Sequence, residues 1–186
     1  MTDFKLFDRF GNIYQSHDHN DRATWYEAGS ALEDQFIEKH GKELGYIRNP
    51  EKDTNVMAVD MVDIYKRKKA DLKTLNTPLF IAEKKYRLDP RWTVTFTTKD
   101  HARYNNIHKN IDIVFWVDWK AVQMVGAFYS VKIEPLYGVF VITLEDLTLL
   151  CESSILHNNP SRVDVAKNSK ATYLIDLRMP QFTRLL

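Results

Sequence analysis

Two aspartates and a lysine between residues 58 and 75 are the residues of this sequence best suited to chemistry. Asp60 interrupts an apolar run, and Asp71-Leu72-Lys73 follows a basic turn at 66–69. Aspartate and lysine are disfavoured inside β-strands, and ionised groups beside a core must be paired or must bind a metal. The segment therefore predicts either a salt-bridged surface hairpin, whose exposed ion pairs contribute about 0–1 kcal/mol each, or a functional site.

Strand alternation decides which of these side chains can meet. Successive side chains of a strand point to opposite faces, so Asp63, the main alternative to Asp60, points away from it unless the strand contains a bulge. Asp71 and Lys73 share one face of the following strand. If the two strands are neighbours, Asp60 and Asp71 lie side by side, with Lys73 one step along.

Carboxylates held close together repel each other and need a cation between them. An oxygen-rich site with few protein ligands suits Mg²⁺, which keeps several waters and accepts phosphate oxygens of a substrate. A neighbouring lysine can orient or deprotonate an attacking water and stabilise charge that develops on phosphorus. These residues therefore predict metal-assisted hydrolysis of a phosphodiester. Glu33 could supply a further acidic ligand, although Glu27 and Glu38 lie on the same predicted helix, whose polar face routinely holds glutamates.

Hydrophobic periodicity predicts the elements that would position these side chains. A helix is predicted from Thr24, which can cap it, to the glycines at 41 and 45. The further predicted elements are strands at 57–65, 70–75 and 93–98, a short helix at 99–108, and a nearly continuous apolar strand at 111–117. In chain order the core at 25–117 reads αβββαβ.

The remaining segments extend the same domain. They predict a small hairpin or arm at 4–14, strands at 122–133 and 137–143, a helix at 144–154 and a closing strand at 171–177. The sequence contains no internal repeat, low-complexity tract or inter-domain linker. One α/β domain is therefore predicted over 1–186, with 118–186 as a C-terminal extension.

Composition limits the classes of function. Of the 186 residues, 44% are hydrophobic and 27% charged, as in ordinary globular proteins. The formal net charge of +1 gives no general attraction to polyanions, so a nucleic-acid surface would need local basic clusters. The single cysteine, Cys151, cannot form an internal disulfide, and neither a signal peptide nor a transmembrane run is apparent. We therefore expect a cytoplasmic protein that does not bind membranes.

Two groups of basic residues could contact phosphates, because such charges supply much of the strength of duplex binding. They are Lys66, Arg67, Lys68 and Lys69 in the turn, and Lys84, Lys85, Arg87 and Arg91 between the second and third core strands. The alternative is a solvated turn that discourages edge pairing. His101 and Tyr104 lie on the short helix, from which side chains can approach the site, but for His101 a solvent-facing position is favoured. His17 and His19 have no third ligand nearby and are interpreted as a loop.

The arrangement Asp60…Asp71-Leu72-Lys73, behind a helix with Glu33 and before a strand, a helix and a strand, resembles the PD-(D/E)XK nuclease superfamily. That superfamily includes restriction endonucleases, recombination exonucleases, junction resolvases and many phage enzymes. By this resemblance Asp60 takes the place of the first motif aspartate, Asp71 that of the second acid and Lys73 that of the lysine. Glu33 matches the frequent helix-borne acid. Val59 stands where the motif has proline, a position that varies in the family.

The resemblance implies a restriction-endonuclease-like fold, with a mixed central sheet flanked by helices, and Mg²⁺-dependent hydrolysis of DNA. Asp60, Asp71, Glu33 and the Leu72 carbonyl would bind Mg²⁺, for which Mn²⁺ can substitute, and Lys73 would act on the nucleophile or on the transition-state charge. DNA is the implied partner, and both a homodimer and a complex with another protein are compatible with the family. The alternatives are a catalytically inactive relative that binds DNA or a protein, and an RNA-directed enzyme with the same core.

Overall fold

The computed structural model describes residues 4–14, 31–55, 57–158 and 171–186. Helix α1 covers residues 31–44 and includes a π-helical stretch at Ile37–Gly41. The other helices are α2 (Ala82–Tyr86), α3 (Thr98–Ile107), α4 (Leu144–Ser153) and a short 3-10 helix at Pro50–Asp53. No helix in these ranges is long and apolar enough to cross a membrane.

The strands, in chain order, fall into three sheets. They are β1 (Phe4–Asp8), β2 (Ile13–Tyr14), β3 (Tyr46–Arg48), β4 (Met61–Asp63), β5 (Lys68–Leu75), β6 (Thr93–Thr97), β7 (Asp112–Asp118), β8 (Ala121–Gly126), β9 (Ser130–Lys132), β10 (Tyr137–Thr143), β11 (Ile155–Asn158), β12 (Ala171–Asp176) and β13 (Thr183–Arg184). The largest sheet has the order β13-β10-β7-β5-β4-β3, and the smaller sheets have the orders β2-β1-β8-β9 and β11-β12-β6.

The central sheet is mixed, as predicted. Its strands β5 and β7 run parallel, from Ala70 opposite Asp112 to Leu75 opposite Val117, whereas its other neighbouring strands pair antiparallel. Parallel neighbours need a crossover connection, and the chain from β5 to β7 passes through α2, β6 and α3. This crossover places α3 against the face of the sheet that carries Asp71.

Apolar side chains cover both faces of the central sheet. On one face Phe36 of α1 packs with a cluster that includes Leu72 and Trp116. On the other face Phe115 of β7 packs with residues of α3 and α4, among them Tyr104. Because β7 is covered on both sides, its sequence is a nearly continuous apolar run, and the prediction of a central strand there is confirmed.

Helix α1 ends at Gly45, one of the two glycines at which its end was predicted. Gly45 has a φ of 77°, in the left-handed region that glycine adopts without strain at helix ends. A Cβ atom there would also lie 2.3 Å from the ring of the exposed Tyr65, which would have to move to admit a side chain. The predicted start of the helix at Thr24 lies outside the described residues.

Strand β6 is the main departure from the predicted core. It pairs antiparallel with β12 in a separate sheet, so the third strand of the αβββαβ order does not join the central sheet. The alternation of β6 predicts a strand but not its partner, which lies far along the chain. Strand β3 and helix α2 were not predicted, because three and five residues carry little periodic signal. The strand predicted at 122–133 is divided into β8 and β9.

Candidate active site

Asp60 and Asp71 meet where β4 passes beside β5. The two strands are antiparallel with Met61 opposite Ala70, so Asp60 precedes β4 at the level of Asp71. The Oδ2 atom of Asp60 accepts a hydrogen bond of 2.9 Å from the backbone N–H of Leu72. In a strand the N–H and C=O of one residue point to the same edge. The Leu72 carbonyl therefore faces the same edge of β5 as Asp60.

Lys73 lies on the same face of β5 as Asp71 and connects it to α3. Its Nζ atom is 2.9 Å from Asp71 Oδ2, 3.1 Å from Asp100 Oδ2 and 2.6 Å from the Tyr104 hydroxyl. That hydroxyl donates a hydrogen bond of 2.5 Å to Asp71 Oδ2 and accepts one of 2.7 Å from Arg103. Helix α3 thus fixes the positions of both Asp71 and Lys73.

A second lysine, Lys52, joins Glu33 to Asp60. Its Nζ atom is 2.5 Å from Glu33 Oε2 and 2.5 Å from Asp60 Oδ1. Glu33 reaches this point from α1, and Lys52 reaches it from the 3-10 helix between β3 and β4. All four predicted site residues are therefore in one cluster, although Glu33 meets Asp60 through the Lys52 ammonium.

The segment that carries Lys52 is held in place by Asn49. The Asn49 side chain accepts a hydrogen bond of 3.1 Å from the N–H of Glu51, which caps the 3-10 helix, and donates one of 2.8 Å to the Val59 carbonyl. Its backbone N–H donates to the Asp60 carbonyl at 2.9 Å. Asparagine followed by proline is a favoured start of a helix. The 3-10 helix is thereby closed onto the start of β4, next to Asp60.

Burial and like charges raise the pKa of both aspartates. For Asp60, burial acts first and the Glu33 carboxylate adds to it, while Lys52 opposes the increase. For Asp71, burial again raises the pKa and the Asp60 charge adds to it, while Lys73 opposes the increase. Burial disfavours the charge of Lys73, yet the surrounding oxygens hold its pKa well above its ordinary value. Burial and the neighbouring carboxylates thus both disfavour the ionised forms of Asp60 and Asp71.

The cluster is partly open to solvent. The exposed fraction of the side chain is 25% for Glu33, 19% for Lys52, 13% for Asp60 and 21% for Lys73, with Asp71 beneath them at 5%. A buried acid under a half-buried rim of charges is an arrangement that a ligand can reach. We call these five residues the open cluster.

Asp63, the alternative to Asp60, lies on the opposite face of the sheet, as strand alternation predicts. It stands opposite Tyr46 on one side and Lys68 on the other. Its Oδ1 atom accepts two hydrogen bonds of 2.9 Å from the turn amides of residues 65 and 66. Asp63 is therefore occupied in shaping the turn and does not contribute to the open cluster.

A second buried acid, Asp112 of β7, lies close to Asp63 on this face. Lys68 contacts Asp112 at 2.5 Å, and Lys66 lies 3.6 Å from Asp63 and 3.9 Å from Asp112. The two aspartate side chains are only 6% and 4% exposed. We call Asp63, Asp112, Lys66 and Lys68 the closed cluster. The Tyr46 hydroxyl is buried on the same face and finds no hydrogen-bond partner within the described part of the chain.

The basic residues of the turn after β4 differ in what they contact. Lys68 is half-buried against Asp112, and Lys69 forms a two-oxygen ion pair with Glu51 at 2.7 and 2.6 Å. Lys66 and Arg67 at the tip are exposed. The tip therefore presents Lys66 and Arg67 toward solvent, although the Lys66 ammonium also lies 3.6 Å from Asp63. Lys68 pairs with a buried acid instead.

The second basic group surrounds α2. The Lys84 ammonium lies 4.6 Å from the centroid of the Tyr129 ring, and the Arg91 guanidinium lies over the neighbouring Trp92 ring. Lys85 and Arg87 are exposed. These charges are available to a polyanion, because cation–π contacts leave most donors of a lysine or arginine free.

Lys52, Asp100 and Arg103 belong to the site but were not predicted to do so. Asp100, Arg103 and Tyr104 are spaced i, i+3 and i+4, which places them on one face of α3 and could have identified them. His101 instead packs its ring edge-on against two aromatic rings. The predicted loop histidines at 17 and 19 and the alternative acid at 27 lie outside the described residues.

The donors of the open cluster are of the type that a hard divalent cation prefers, namely carboxylates and a backbone carbonyl. Among the described residues, no group of three or more His, Cys, Asp or Glu side chains is already spaced to hold a metal ion. Instead one cation, the Lys52 ammonium, lies between the Glu33 and Asp60 carboxylates. The ammonium marks a position where these carboxylates share a positive charge, and carboxylate and carbonyl oxygens are the donor type that a divalent ion would require there.

Comparison with protein-family models, curated proteins and solved structures finds no match for the chain.

Proposed function

We propose that the chain is a metal-dependent nuclease of the PD-(D/E)XK type that hydrolyses DNA phosphodiester bonds. The observation that supports this function is the convergence of Glu33, Asp60, Asp71 and Lys73 from a helix and two adjacent strands. A surface hairpin stabilised only by its own cross-strand ion pairs would not bring a glutamate in from α1. The finer assignment to a restriction-endonuclease-like core is part of this proposal.

In this function Asp60, Asp71, Glu33 and the Leu72 carbonyl bind Mg²⁺ or Mn²⁺. When bound, such an ion neutralises charge on phosphate oxygens and makes water a better nucleophile. Asp71 is the rigid member of the set, because Tyr104 donates a hydrogen bond to it and burial leaves it little freedom. Asp60 is oriented by the Leu72 N–H, which leaves its Oδ1 atom directed at the shared cation position.

Lys73 acts as a fixed ammonium beside the reacting phosphate. Its contacts with Asp71, Asp100 and the Tyr104 hydroxyl keep it in place. From there it orients the attacking water and stabilises the charge that develops on phosphorus. Removal of a proton from the water by Lys73 is the less favoured role, because the surrounding oxygens stabilise the protonated lysine.

DNA is the substrate that the surface charges favour. Lys66 and Arg67 at the turn tip and Lys85 and Arg87 around α2 are exposed. Each phosphate contact adds affinity that salt weakens, so binding of the duplex should depend strongly on ionic strength. The expected product is a nicked or cut DNA, formed in the presence of Mg²⁺ or Mn²⁺.

The decisive test is Lys73→Ala, assayed on plasmid DNA with Mg²⁺ and with Mn²⁺. We expect cleavage to fall roughly 100-fold or more, as when a group that stabilises transition-state charge is removed, while the far-UV circular dichroism spectrum stays unchanged. Lys120→Ala is the matched control, because Lys120 is an exposed lysine that pairs with Asp118 away from the open cluster. Undiminished cleavage by Lys73→Ala would exclude this function. Matched DNA and RNA duplexes would identify the preferred nucleic acid.

The second candidate is a catalytically inactive protein of the same fold that binds DNA or a protein partner. One observation favours it: Lys52 already neutralises the Glu33 and Asp60 carboxylates. In this case calorimetric titration would detect tight association with DNA or with a protein, but no binding of Mg²⁺ to the wild-type chain or to any variant of the cluster. Binding of the ion would favour the nuclease.

A further inference from the structure

Lys52 holds the position that a divalent ion would share between Glu33 and Asp60. Its Nζ atom is 2.5 Å from an oxygen of each carboxylate, and the side chain is 19% exposed. Two carboxylates that converge on one cation form the geometry expected of a bridging ion, and here the cation is covalently attached to the chain. Lys52 is therefore in direct competition with any metal that binds these two acids.

The segment that carries Lys52 is attached to the fold on several sides. Asn49 closes the 3-10 helix onto β4. The ammonium of Lys69 in β5 donates hydrogen bonds to both carboxylate oxygens of Glu51, the residue next to Lys52. His108, after α3, lies 2.9 Å from the Met57 carbonyl. With its backbone held at these points, Lys52 can leave the carboxylates only by rotating its own side chain, which has four carbons between Cα and Nζ.

The charge balance of the site is consistent with an exchange of one cation for another. Glu33, Asp60, Asp71 and Asp100 carry four negative charges when ionised, and Lys73 and Arg103 carry two positive charges. Without Lys52 the formal charge of the site is thus two negative units, which one divalent ion would neutralise. With Lys52 in place only one negative unit remains, and the attraction for an added ion is smaller.

We propose that Lys52 is a tethered cation that keeps the acids of the site together when no metal is bound and that a divalent ion must displace. This inference rests on the proposed metal ligation by Glu33 and Asp60. Lys52 is a positioning residue in this role, since it acts on the carboxylates and not on the substrate. It lowers the affinity of the site for metal and preserves the geometry of the site in the metal-free protein.

The test is the affinity of the full chain for Mn²⁺ and Mg²⁺, measured by isothermal titration calorimetry without DNA. Lys52→Met removes the charge but keeps much of the volume, and we expect it to bind Mn²⁺ roughly tenfold or more tightly than wild type, because like charge no longer competes. Lys52→Arg restores a cation and should return the affinity to within about threefold of wild type. Lys120→Met, which removes an exposed lysine that pairs with Asp118 away from the open cluster, is the control and should bind like wild type.

Thermal unfolding gives a second readout. In EDTA Lys52→Met should melt below wild type, because Glu33 and Asp60 then repel each other, and saturating Mn²⁺ should raise its melting temperature more than that of wild type. If Lys52→Met does not fold without metal, Lys52→Gln takes its place, since its amide still donates hydrogen bonds to the carboxylates. Equal or weaker Mn²⁺ binding by the neutral variants, or none, would overturn the inference.

The outcomes separate this inference from the proposed function. If wild type cuts DNA but Lys52→Met binds Mn²⁺ as wild type does, the nuclease stands and the role of Lys52 is wrong. If Lys52→Met binds Mn²⁺ more tightly but neither protein cuts DNA, the competition between Lys52 and metal is real and the nuclease function fails.

Discussion

The two faces of the β4–β5 pair carry two acid–lysine clusters of similar composition and different character. The open cluster takes Glu33 from α1 and Lys52 from the 3-10 helix, and its rim is 13% to 25% exposed. The closed cluster has Asp63 and Asp112, both less than 7% exposed, and its lysines come from the adjoining turn and strand. Buried carboxylates alone therefore do not identify a site.

What separates Asp60 of the open cluster from Asp63 of the closed cluster is how each carboxylate is satisfied. Asp63 accepts two backbone hydrogen bonds from the turn it begins, so its charge is part of the local chain geometry. Asp60 accepts one backbone hydrogen bond and depends on Lys52, which belongs to a separate segment, for the rest. An acid such as Asp60, whose partner is a partly exposed side chain of a separate segment, can exchange that partner for a ligand, whereas Asp63, held by backbone hydrogen bonds of its own turn, cannot.

The largest expected effect is the loss of folding stability when the closed cluster loses a lysine. Lys68→Met leaves the buried Asp112 with only the exposed and more distant Lys66 ammonium, and we expect the free energy of unfolding to fall by about 3 kcal/mol. Lys69→Met, the next residue along, breaks an exposed pair with Glu51 and should cost less than about 1 kcal/mol. Urea denaturation at pH 7 measures both. Equal effects of the two substitutions would show that the closed cluster is not a buried structural unit.

The second prediction concerns Tyr104→Phe, which removes the hydroxyl that donates to Asp71. A hydrogen bond to an ionised carboxylate lowers its pKa, so the pKa of Asp71, already raised by burial, rises further in the variant. A carboxyl whose pKa is higher in the folded than in the unfolded state stabilises the fold fully at pH values below its ordinary pKa of 3.8. This contribution is lost as the pH rises through the folded-state pKa.

The stability deficit of Tyr104→Phe should accordingly be small near pH 4 and grow to about 2 kcal/mol at pH 8. Urea denaturation in EDTA across this range measures the deficit without any metal. Tyr65→Phe, at an exposed tyrosine, is the control and should show no such trend. If the deficit of Tyr104→Phe is independent of pH, its hydroxyl does not support the ionised form of Asp71. DNA cleavage by the variant should fall by about tenfold.

The parts of this site that sequence could predict are those governed by local rules. The period of two residues in a strand, together with a short turn, places Asp60 beside Asp71 and sends Asp63 to the other face. The apolar run of β7 and the glycine at the end of α1 follow from similarly local physics. Each of these predictions needs only a few neighbouring residues.

The parts that sequence did not predict depend on contacts between distant segments. Strand β6 pairs with β12, whose residues follow their partners by 75 to 83 positions, and nothing in the alternation of β6 selects that partner over β5. Lys52 enters the site because Asn49 binds the Val59 carbonyl ten residues later. The Asn-Pro start of the 3-10 helix was visible in the sequence, but the direction in which that helix points was not.

The smallest expected effect is a gain in folding stability, whereas the other substitutions in these clusters are expected to reduce it. The Tyr46 hydroxyl is buried on the closed face without a hydrogen-bond partner among the described residues, and burial together with the nearby Asp63 and Asp112 charges raises its pKa. An unsatisfied buried hydroxyl destabilises a fold, so Tyr46→Phe should raise the free energy of unfolding by about 1 kcal/mol. The same change at Tyr104 lowers it at neutral pH, and urea denaturation of the two variants side by side compares the faces directly. A loss of stability in Tyr46→Phe would mean that this hydroxyl supports the two carboxylates, and the closed cluster would then need a polar neighbour just as the open one does.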